Sequence, residues 1–488
     1  MPEKRPHILL VMTDQQRGDC LGLDGHPVLS TPNLDELGAN GAFFRHGYTE
    51  VPSCIPARRI LMSGQSQVSN GMVGMTNDPS WRPAQTLPGE LAKAGYQTFL
   101  AGKLHLQPNR RRFGFHESAW SDAPHPIHDG DPDDYERFLQ RHGFDQWDRT
   151  AMHGVDANGW VGRPSHFDEK LSFSNWCVDE AVNFLRRRDP TCPFFMKVSF
   201  HAPHPPLAPP AFYYDRYMNL DLPPAVVGDW VNAESAPRTG LDGAKVDSWR
   251  VRIQPDALKR CRAAYYGLIN HVDDQFGRLK EALERMRLWN DTFVLFTSDH
   301  GEMLGDHHMF RKTYAYEASA RVPFLAKAPG WMECQRGLRP EQVVGLQDVL
   351  PTLLDAAGAP IPERVDGRSV LPLLRGESAP WREFLHGEHA PCYDKANAMQ
   401  YLTDGKEKFI WHTQTGIEHF FDLRDDPNEC RERSKSAAHR ARVELWRGRM
   451  IETLKGRPEG FVANGQLVAG RPHTNLMPDY RDGARVKC

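Results

Sequence analysis

The chain has 488 residues, 40% of them hydrophobic and 25% charged, with a formal net charge of −3. That balance belongs to a folded, water-facing protein too long for one ordinary core, so one large domain plus a smaller one is expected. Nothing in it invites nucleic acid or a membrane: the basic runs Arg110 to Arg112 and Arg186 to Arg188 are short, and no apolar stretch approaches the ~20 residues of a spanning helix.

The N-terminal apolar run H-I-L-L-V-M is too short for a secretion signal, which makes the cytoplasm the expected compartment. Nine cysteines lie scattered without C-x-x-C pairs, against a disulfide framework and a structural zinc site. That first apolar run closes on Thr13, Asp14, Gln15 and Gln16. Next comes V-P-S-C-I-P-A-R-R-I-L-M-S-G, residues 51–64. The fixed φ of Pro56 suits the first turn of a helix, and Gly64 suits its end. Cys54 is then expected just before a helix N-terminus, where free N–H groups and dipole charge favour an anionic nucleophile and an anionic substrate. Most cysteines are merely small and buried; only thiolate-stabilising surroundings set a reactive one apart. Asn77, in the loop that follows, is a candidate substrate contact.

A helix is expected over Thr86 to Gly95, then the run Y-Q-T-F-L-A closing on Gly102, Lys103, Leu104 and His105. A second helix, Ser174 to Arg188, precedes P-F-F-M-K-V-S-F, which closes on H-A-P-H-P-P with His201 and His204. A long helical pattern over Cys261 to Leu288 precedes T-F-V-L-F, which closes on Asp299 and His300. Short, nearly continuous apolar runs are buried strands of a mostly parallel sheet, and their alternation with helices gives an α/β fold. Ligands of such sheets bind beyond the carboxyl ends of the strands, so the four polar clusters are expected to converge. Two carboxylates, Asp14 and Asp299, with an amide oxygen or the His300 imidazole would hold a divalent metal, although a single Asp after a strand is more often a cap or turn residue.

From about Trp381 the alternation stops. Short strands, then a helical pattern over Ala437 to Leu454, indicate a smaller α+β domain with an antiparallel sheet, giving expected domains 1–380 and 381–488. The irregular last stretch would wrap the body or a neighbouring copy in a homo-oligomer.

Cys54-x-Pro56-x-Arg58 followed by L-M-S-G resembles the signature of the formylglycine-dependent (type I) sulfatases of the alkaline phosphatase superfamily. Other stretches are similar to the family's motifs in the family's order. V-M-T-D-Q and Asp299-His300 match its metal motifs, G-Y-Q-T-F-L-A-G-K-L-H its Lys-x-His stretch, and H-A-P-H-P-P its P-H-x-P. M-F-R-K-T-Y-A-Y-E-A-S-A-R-V-P-F matches the stretch that carries Lys312, and the matches run from residue 7 to about residue 376.

The resemblance implies an alkaline phosphatase-like sheet flanked by helices, hydrolysis of a small-molecule sulfate ester, and oxidation of Cys54 to formylglycine by a formylglycine-generating enzyme. It implies one divalent ion on Asp14, Gln15, residue 54, Asp299 and His300. Calcium is the family's ion, and the imidazole would suit manganese or zinc. It implies that Arg58 steadies the nucleophile and the metal carboxylates, and that Lys103, Lys312 and His204 neutralise the sulfuryl oxygens. His204 would protonate the leaving alcohol, with Lys312 assisting, and His105 would take the proton that expels sulfate. Gln15 and His300 stand where many arylsulfatases carry Asp and Asn. Phosphonate monoester hydrolases share the Asp-Gln and Asp-His pattern, which makes a phosphonate monoester or phosphodiester hydrolase the alternative; Lys103 and His105 favour sulfate esters. A third reading is an inactive relative that binds sulfated ligands. For the alcohol half, the acidic insertion Ser121 to Asp134 and the aromatic segment Phe212 to Tyr217 are the expected pocket walls, favouring a small or cationic group.

Overall fold

A computed structural model describes residues 4–122, 132–144, 156–239 and 244–478. The apolar runs become strands of one seven-stranded sheet: β1 (His7–Asp14), β2 (Ala42–Phe43), β3 (Gln97–Gly102), β4 (Glu117–Trp120), β5 (Phe194–Pro203), β6 (Thr292–Ser298) and β7 (Phe324–Lys327). Their order is β2-β7-β6-β1-β5-β3-β4. Neighbours from β6 through β4 pair in parallel, and β7 runs antiparallel to both β6 and β2. The central strand shows why no apolar–polar alternation was visible. Leu9 and Val11 enter one core, while Ile8, Leu10 and Met12 enter the other. Both faces are covered, so every position must be apolar.

Helices Phe173–Arg187 and Pro255–Arg285 cover the first face, and helices Cys54–Ser63, Leu87–Lys93 and Val349–Ala356 cover the second. The caps explain the boundaries. Thr86 Oγ1 accepts from the Gly89 N–H at 3.2 Å, and Gly95, at φ 82°, lies just beyond the helix. The long helix begins at Pro255, six residues before Cys261 where its pattern was expected to start, and ends at Arg285. Residues 255–260 are only partly buried, and Leu258 is the one large apolar side chain among them that packs on the core, so the apolar period is thin there. The segment Phe212 to Tyr217 does not supply the expected pocket wall. Phe212 is 69% exposed, while Tyr213 and Tyr217 are buried and bond Asp274 and Asn270 of the long helix. The other expected wall falls mostly on residues 123–131, outside the described residues.

The C-terminal strands β8 (Leu385–His389), β9 (Met399–Thr403), β10 (Glu407–His412) and β11 (Glu418–Asp422) form an antiparallel sheet in sequential order. Here the alternation is clean. Leu402, Phe409, Trp411 and Phe420 pack under helix Arg440–Leu454, and Met399, Tyr401, Ile410 and Phe421 pack with Tyr48, Tyr314 and Tyr316 of the main body. The tail then returns to the body. The Val73 N–H donates to Asn475 O and the Met477 N–H to Gly71 O, both at 2.9 Å. The eight described cysteines are unpaired, and among the described residues no helix is long and apolar enough to cross a membrane.

Candidate active site

Two strand ends and one helix start meet at a single point. β1 delivers Asp14, where its register with β5 shifts. β6 delivers Asp299 and His300 immediately beyond Ser298. Cys54 is the first residue of its helix, one position further in than expected, with Ser53 extended before it and Gly64 left-handed at the far end. Cys54 Sγ lies 3.1 Å from His300 Nε2 and 3.8 Å from Asp14 Oδ1. His300 Nε2 lies 3.8 Å from Asp14 Oδ1 and 3.6 Å from Asp299 Oδ1. The four ligand atoms all lie within 4.8 Å of one another, and all four residues are buried.

Arg58, one helical turn after Cys54, binds the carboxylates together. Its Nε donates to Asp299 Oδ2 at 2.8 Å and its Nη2 to Asp14 Oδ2 at 3.1 Å. Nη1 donates to Lys103 O and Ser199 Oγ, each at 3.1 Å, so β3 and β5 anchor the guanidinium from behind. Only a planar, many-donor group makes four such contacts at once. Lys103 Nζ pairs with Asp14 Oδ2 at 2.6 Å. Burial alone would raise the Asp14 pKa, but Lys103 first, with Arg58, holds it well below the usual carboxylate range. Burial and Asp14 likewise oppose ionisation of the Cys54 thiol, yet Lys312, His300 and Lys103 bring its pKa below the ordinary value.

Lys312 closes the other side. Its Nζ lies 2.8 Å from Gln15 Oε1 and 2.8 Å from His204 Nε2. The His204 Nδ1–H donates to Pro205 O at 2.7 Å, which leaves Nε2 as acceptor for the ammonium. Burial first, then Lys312, keeps this imidazole neutral by holding its pKa well below normal. His201 lies beside it, ring centroids 4.8 Å apart. Gln15 reaches Asp299 through its backbone N–H at 3.1 Å, and its side-chain NH₂ donates to Glu302. Gln15 itself has φ 71°, the left-handed turn that takes the chain sharply off β1.

His105 follows Lys103 on a left-handed turn of its own, with φ 55° and its N–H on Asp122 Oδ1 at 2.7 Å. Burial, Lys103 and Arg58 together push its pKa well down. Asn77 is exposed and takes no part in these hydrogen bonds, although the neighbouring Asp78 pairs with Arg59 at 2.9 Å.

The donor set suits a divalent cation. It offers two carboxylates, a low-pKa sulfur position and an imidazole nitrogen within one sphere. The His300 Nδ1–H is tied to Gly301 O at 2.9 Å, which turns the Nε2 lone pair inward as a metal ligand requires. Against burial, Asp299 and Cys54 raise the His300 pKa, the mark of an imidazole held among anions.

Ser199, Glu302 and Lys197 were missed from the sequence. Lys197 sits in the apolar run of β5, fully buried, its ammonium without a hydrogen bond and its pKa lowered to about 7 by burial and Arg58. A charged residue inside an otherwise apolar strand was the available signal. For Glu302 it was a carboxylate three residues beyond Asp299 at the same strand end.

The family model for "Sulfatase" matches residues 6–359, and that for "N-sulphoglucosamine sulphohydrolase, C-terminal" matches residues 305–454. An arylsulfatase of Clostridium perfringens is 41% identical over 490 residues, covering 97% of this chain and 99% of its own length. The multifunctional alkaline phosphatase superfamily protein PehA of Trinickia caryophylli is 30% identical, covering 90% and 93%. Among solved structures, the phosphonate monoester hydrolase of Agrobacterium radiobacter superposes with a TM-score of 0.76 at 25% identity, covering 96% of this chain and all of that one. The large sheet with its C-terminal antiparallel companion is the alkaline phosphatase-like fold of these proteins. By these matches and by the motifs assembled at its strand ends, the chain belongs to the sulfatase family.

Proposed function

We propose that this protein is a sulfuric ester hydrolase that cleaves small-molecule sulfate monoesters at the Asp14, Cys54, Asp299, His300 cluster. The observation that carries this reading is the Arg58 fork, which holds two carboxylates beside a residue 54 flanked by Lys103 and Lys312. Formylglycine at position 54, made by a formylglycine-generating enzyme, and a divalent ion on Asp14, Asp299 and His300, with Gln15 alongside, would supply an ionised oxygen nucleophile at neutral pH.

The chain's own groups do the rest. Arg58 and Lys103 are paired with the two carboxylates, and Lys312 is the cation on the other side that faces an incoming monoanionic ester. Lys103 and Lys312 flank residue 54 and neutralise the sulfuryl oxygens as charge develops on them. The Lys312–His204 pair holds a proton where the departing oxygen needs it. His105, kept neutral, is the base that accepts a proton when sulfate leaves. Calcium is the ion we assign first, with manganese or zinc as the choices that an imidazole ligand favours. Residues 1–380 carry the chemistry, and 381–488 buttress it through Tyr401, whose hydroxyl donates to Thr49 O.

The likeness to a phosphonate monoester hydrolase supports a second reading, hydrolysis of phosphonate monoesters or phosphodiesters on the same scaffold. The lysine pair argues for sulfate. Specificity constants for an aryl sulfate, a phenylphosphonate monoester and a phosphodiester decide between them, on protein whose residue 54 has been verified by peptide mass. A sulfate value below either of the others would reverse the assignment.

A further inference from the structure

The chain leaves β1 through a turn that runs against its own backbone preference. Gln15 has φ 71°, a left-handed conformation that is costly for a residue with a side chain. Such a residue persists where its surroundings over-determine it. Part of the hold comes from the end of β6 and the loop beyond it. The Gln15 N–H donates to Asp299 Oδ1 at 3.1 Å, and the Gln16 N–H donates to Ser298 Oγ at 3.0 Å. The Gln15 side chain is shared between Glu302 and Lys312.

The rest of the hold comes from the long helix. Tyr265, fully buried and 250 positions from Gln15, sets its hydroxyl against the turn. The hydroxyl donates to Gln15 O at 2.6 Å and accepts from the Arg17 N–H at 3.0 Å. Both directions are fixed, because a carbonyl can only accept and an N–H can only donate. Among the described residues neither backbone group has another hydrogen-bond partner. One hydroxyl therefore closes a ring of bonds over residues 15–17. The same helix face also fixes the turn's exit. Arg17 Nη1 donates to Asp306 Oδ2 at 2.7 Å, and Arg262, three residues before Tyr265, donates to Asp306 Oδ1 at 2.7 Å.

We propose that Tyr265 is a positioning residue of the metal centre: its hydroxyl fixes the left-handed Gln15 turn, and with it the Asp14 carboxylate and the Gln15 amide. This role rests on the metal-dependent reading for what the centre holds. Asp14 is the last residue of β1 and Gln15 the first beyond it, so one peptide carries both candidate ligands. Without the hydroxyl, a buried carbonyl and a buried N–H lose their partners together, and the turn gains a reason to relax. The hydroxyl forms no bond to substrate and takes no part in a covalent step; it sets where the ligands stand.

The test compares Tyr265→Phe, which removes one oxygen and keeps the ring, with Tyr266→Phe. Tyr266 is the next residue on the same helix, is also buried, and makes no hydrogen bond to the turn. Affinity for calcium and for manganese, measured by competition with a chelator, should weaken about 10–100-fold in Tyr265→Phe, the range for partners that orient ligands. Tyr266→Phe should bind both ions as the wild type does. In metal-free protein, backbone hydrogen exchange across residues 13–19 should speed at least tenfold in Tyr265→Phe alone. At limiting metal, kcat for a sulfate ester should fall at least tenfold with KM nearly unchanged, and added metal should recover most of the loss. A lower unfolding midpoint with wild-type exchange and wild-type metal affinity would reduce Tyr265 to a core residue and overturn the proposal. Faster exchange with unchanged metal affinity would overturn it as well. If the wild type binds the ions but hydrolyses no sulfate ester, the sulfatase reading fails, and the difference in metal affinity still decides the role of Tyr265. If the wild type binds neither ion, the metal reading and this role fall together.

Discussion

The Lys312 ammonium lies 2.8 Å from His204 Nε2, while the other ring nitrogen of His204 is spent on the Pro205 carbonyl. The proton between the two therefore belongs to the lysine in the resting protein. His204 can pass one on only by receiving it from Lys312, so the pair acts as a unit. Substituting Lys312→Met removes both the proton and a charge that depresses the His204 pKa.

That substitution should slow esters of basic alcohols by about 10²–10⁴, the usual size of a general-acid contribution. Esters of acidic phenols, whose oxygen leaves without a proton, should lose much less. A plot of log kcat against leaving-group pKa should steepen in the variant. Parallel plots for wild type and variant would mean that Lys312 only binds the sulfuryl group.

Arg58 offers a second test. Its fork spans Asp14 and Asp299 in direct contact at 3.1 and 2.8 Å, all three side chains fully buried. Arg58→Ala leaves two buried carboxylates unpaired and should cost about 3–5 kcal/mol of stability, read by denaturant unfolding. Arg58→Lys keeps the charge but serves only one carboxylate, so its stability should lie between the other two while kcat falls at least tenfold. If Arg58→Lys matches the wild type in kcat and metal content, the two-carboxylate clamp is not what matters.

Glu302 fixes the amide of Gln15. Its carboxylate takes the Gln15 NH₂ on one oxygen and the Leu304 and Arg311 backbone N–H groups on the other. With its nitrogen so engaged, Gln15 must present its oxygen to Lys312. Glu302→Gln keeps the shape but sets an amide against an amide, and the Gln15 side chain loses its orientation. The expected result is a drop on the order of 10–100-fold in metal affinity or kcat, the range for partners that orient ligands. Metal retention during dialysis against a chelator reports the first, steady-state kinetics the second; wild-type behaviour in both would remove Glu302 from the site.

These three residues also mark how far the sequence could be read. Asp14, Lys103, His204 and Asp299 were legible because each directly follows a buried strand, and parallel strands bring their carboxyl ends to one edge whatever their separation along the chain. Cys54 and Arg58 were legible because proline and glycine punctuate their helix. Ser199 was not, since its importance lies in a contact with a residue 141 positions away, which no local pattern encodes, and Glu302 offered only its place near the end of β6, not its bond to a residue 287 positions away. The start of the long helix was hidden for the opposite reason: its first turns are partly exposed and place only Leu258 on the core, too thin a trace to read as a period. The expected wall at Phe212 to Tyr217 failed because an aromatic segment reads alike whether it faces a ligand or a neighbouring helix.

Histidines that their surroundings keep neutral make acid the condition this fold should tolerate least. Burial, above all, lowers His389 and His412 to about 4, and lowers His7 to about 4 as well. In the unfolded chain each returns to ~6.5. Between these values the unfolded state binds more protons than the folded one, so stability falls as pH drops. The loss should begin near pH 6.5 and continue to about pH 4, at up to about 1.4 kcal/mol per pH unit for each such histidine. Three of them together remove up to about 10 kcal/mol between pH 6.5 and pH 4, comparable with a typical reserve of ~5–15 kcal/mol, and carboxylates whose pKa is lowered lose stability in acid as well. Urea midpoints at pH 8, 6.5, 5.5 and 4.5 should therefore hold level between the first two and then fall steeply. His412→Phe, whose ring fills a similar volume without a proton to bind, should flatten that fall by about one proton's worth. A midpoint independent of pH from 8 to 4.5 would show that these rings take up protons without unfolding and that burial does not hold them neutral.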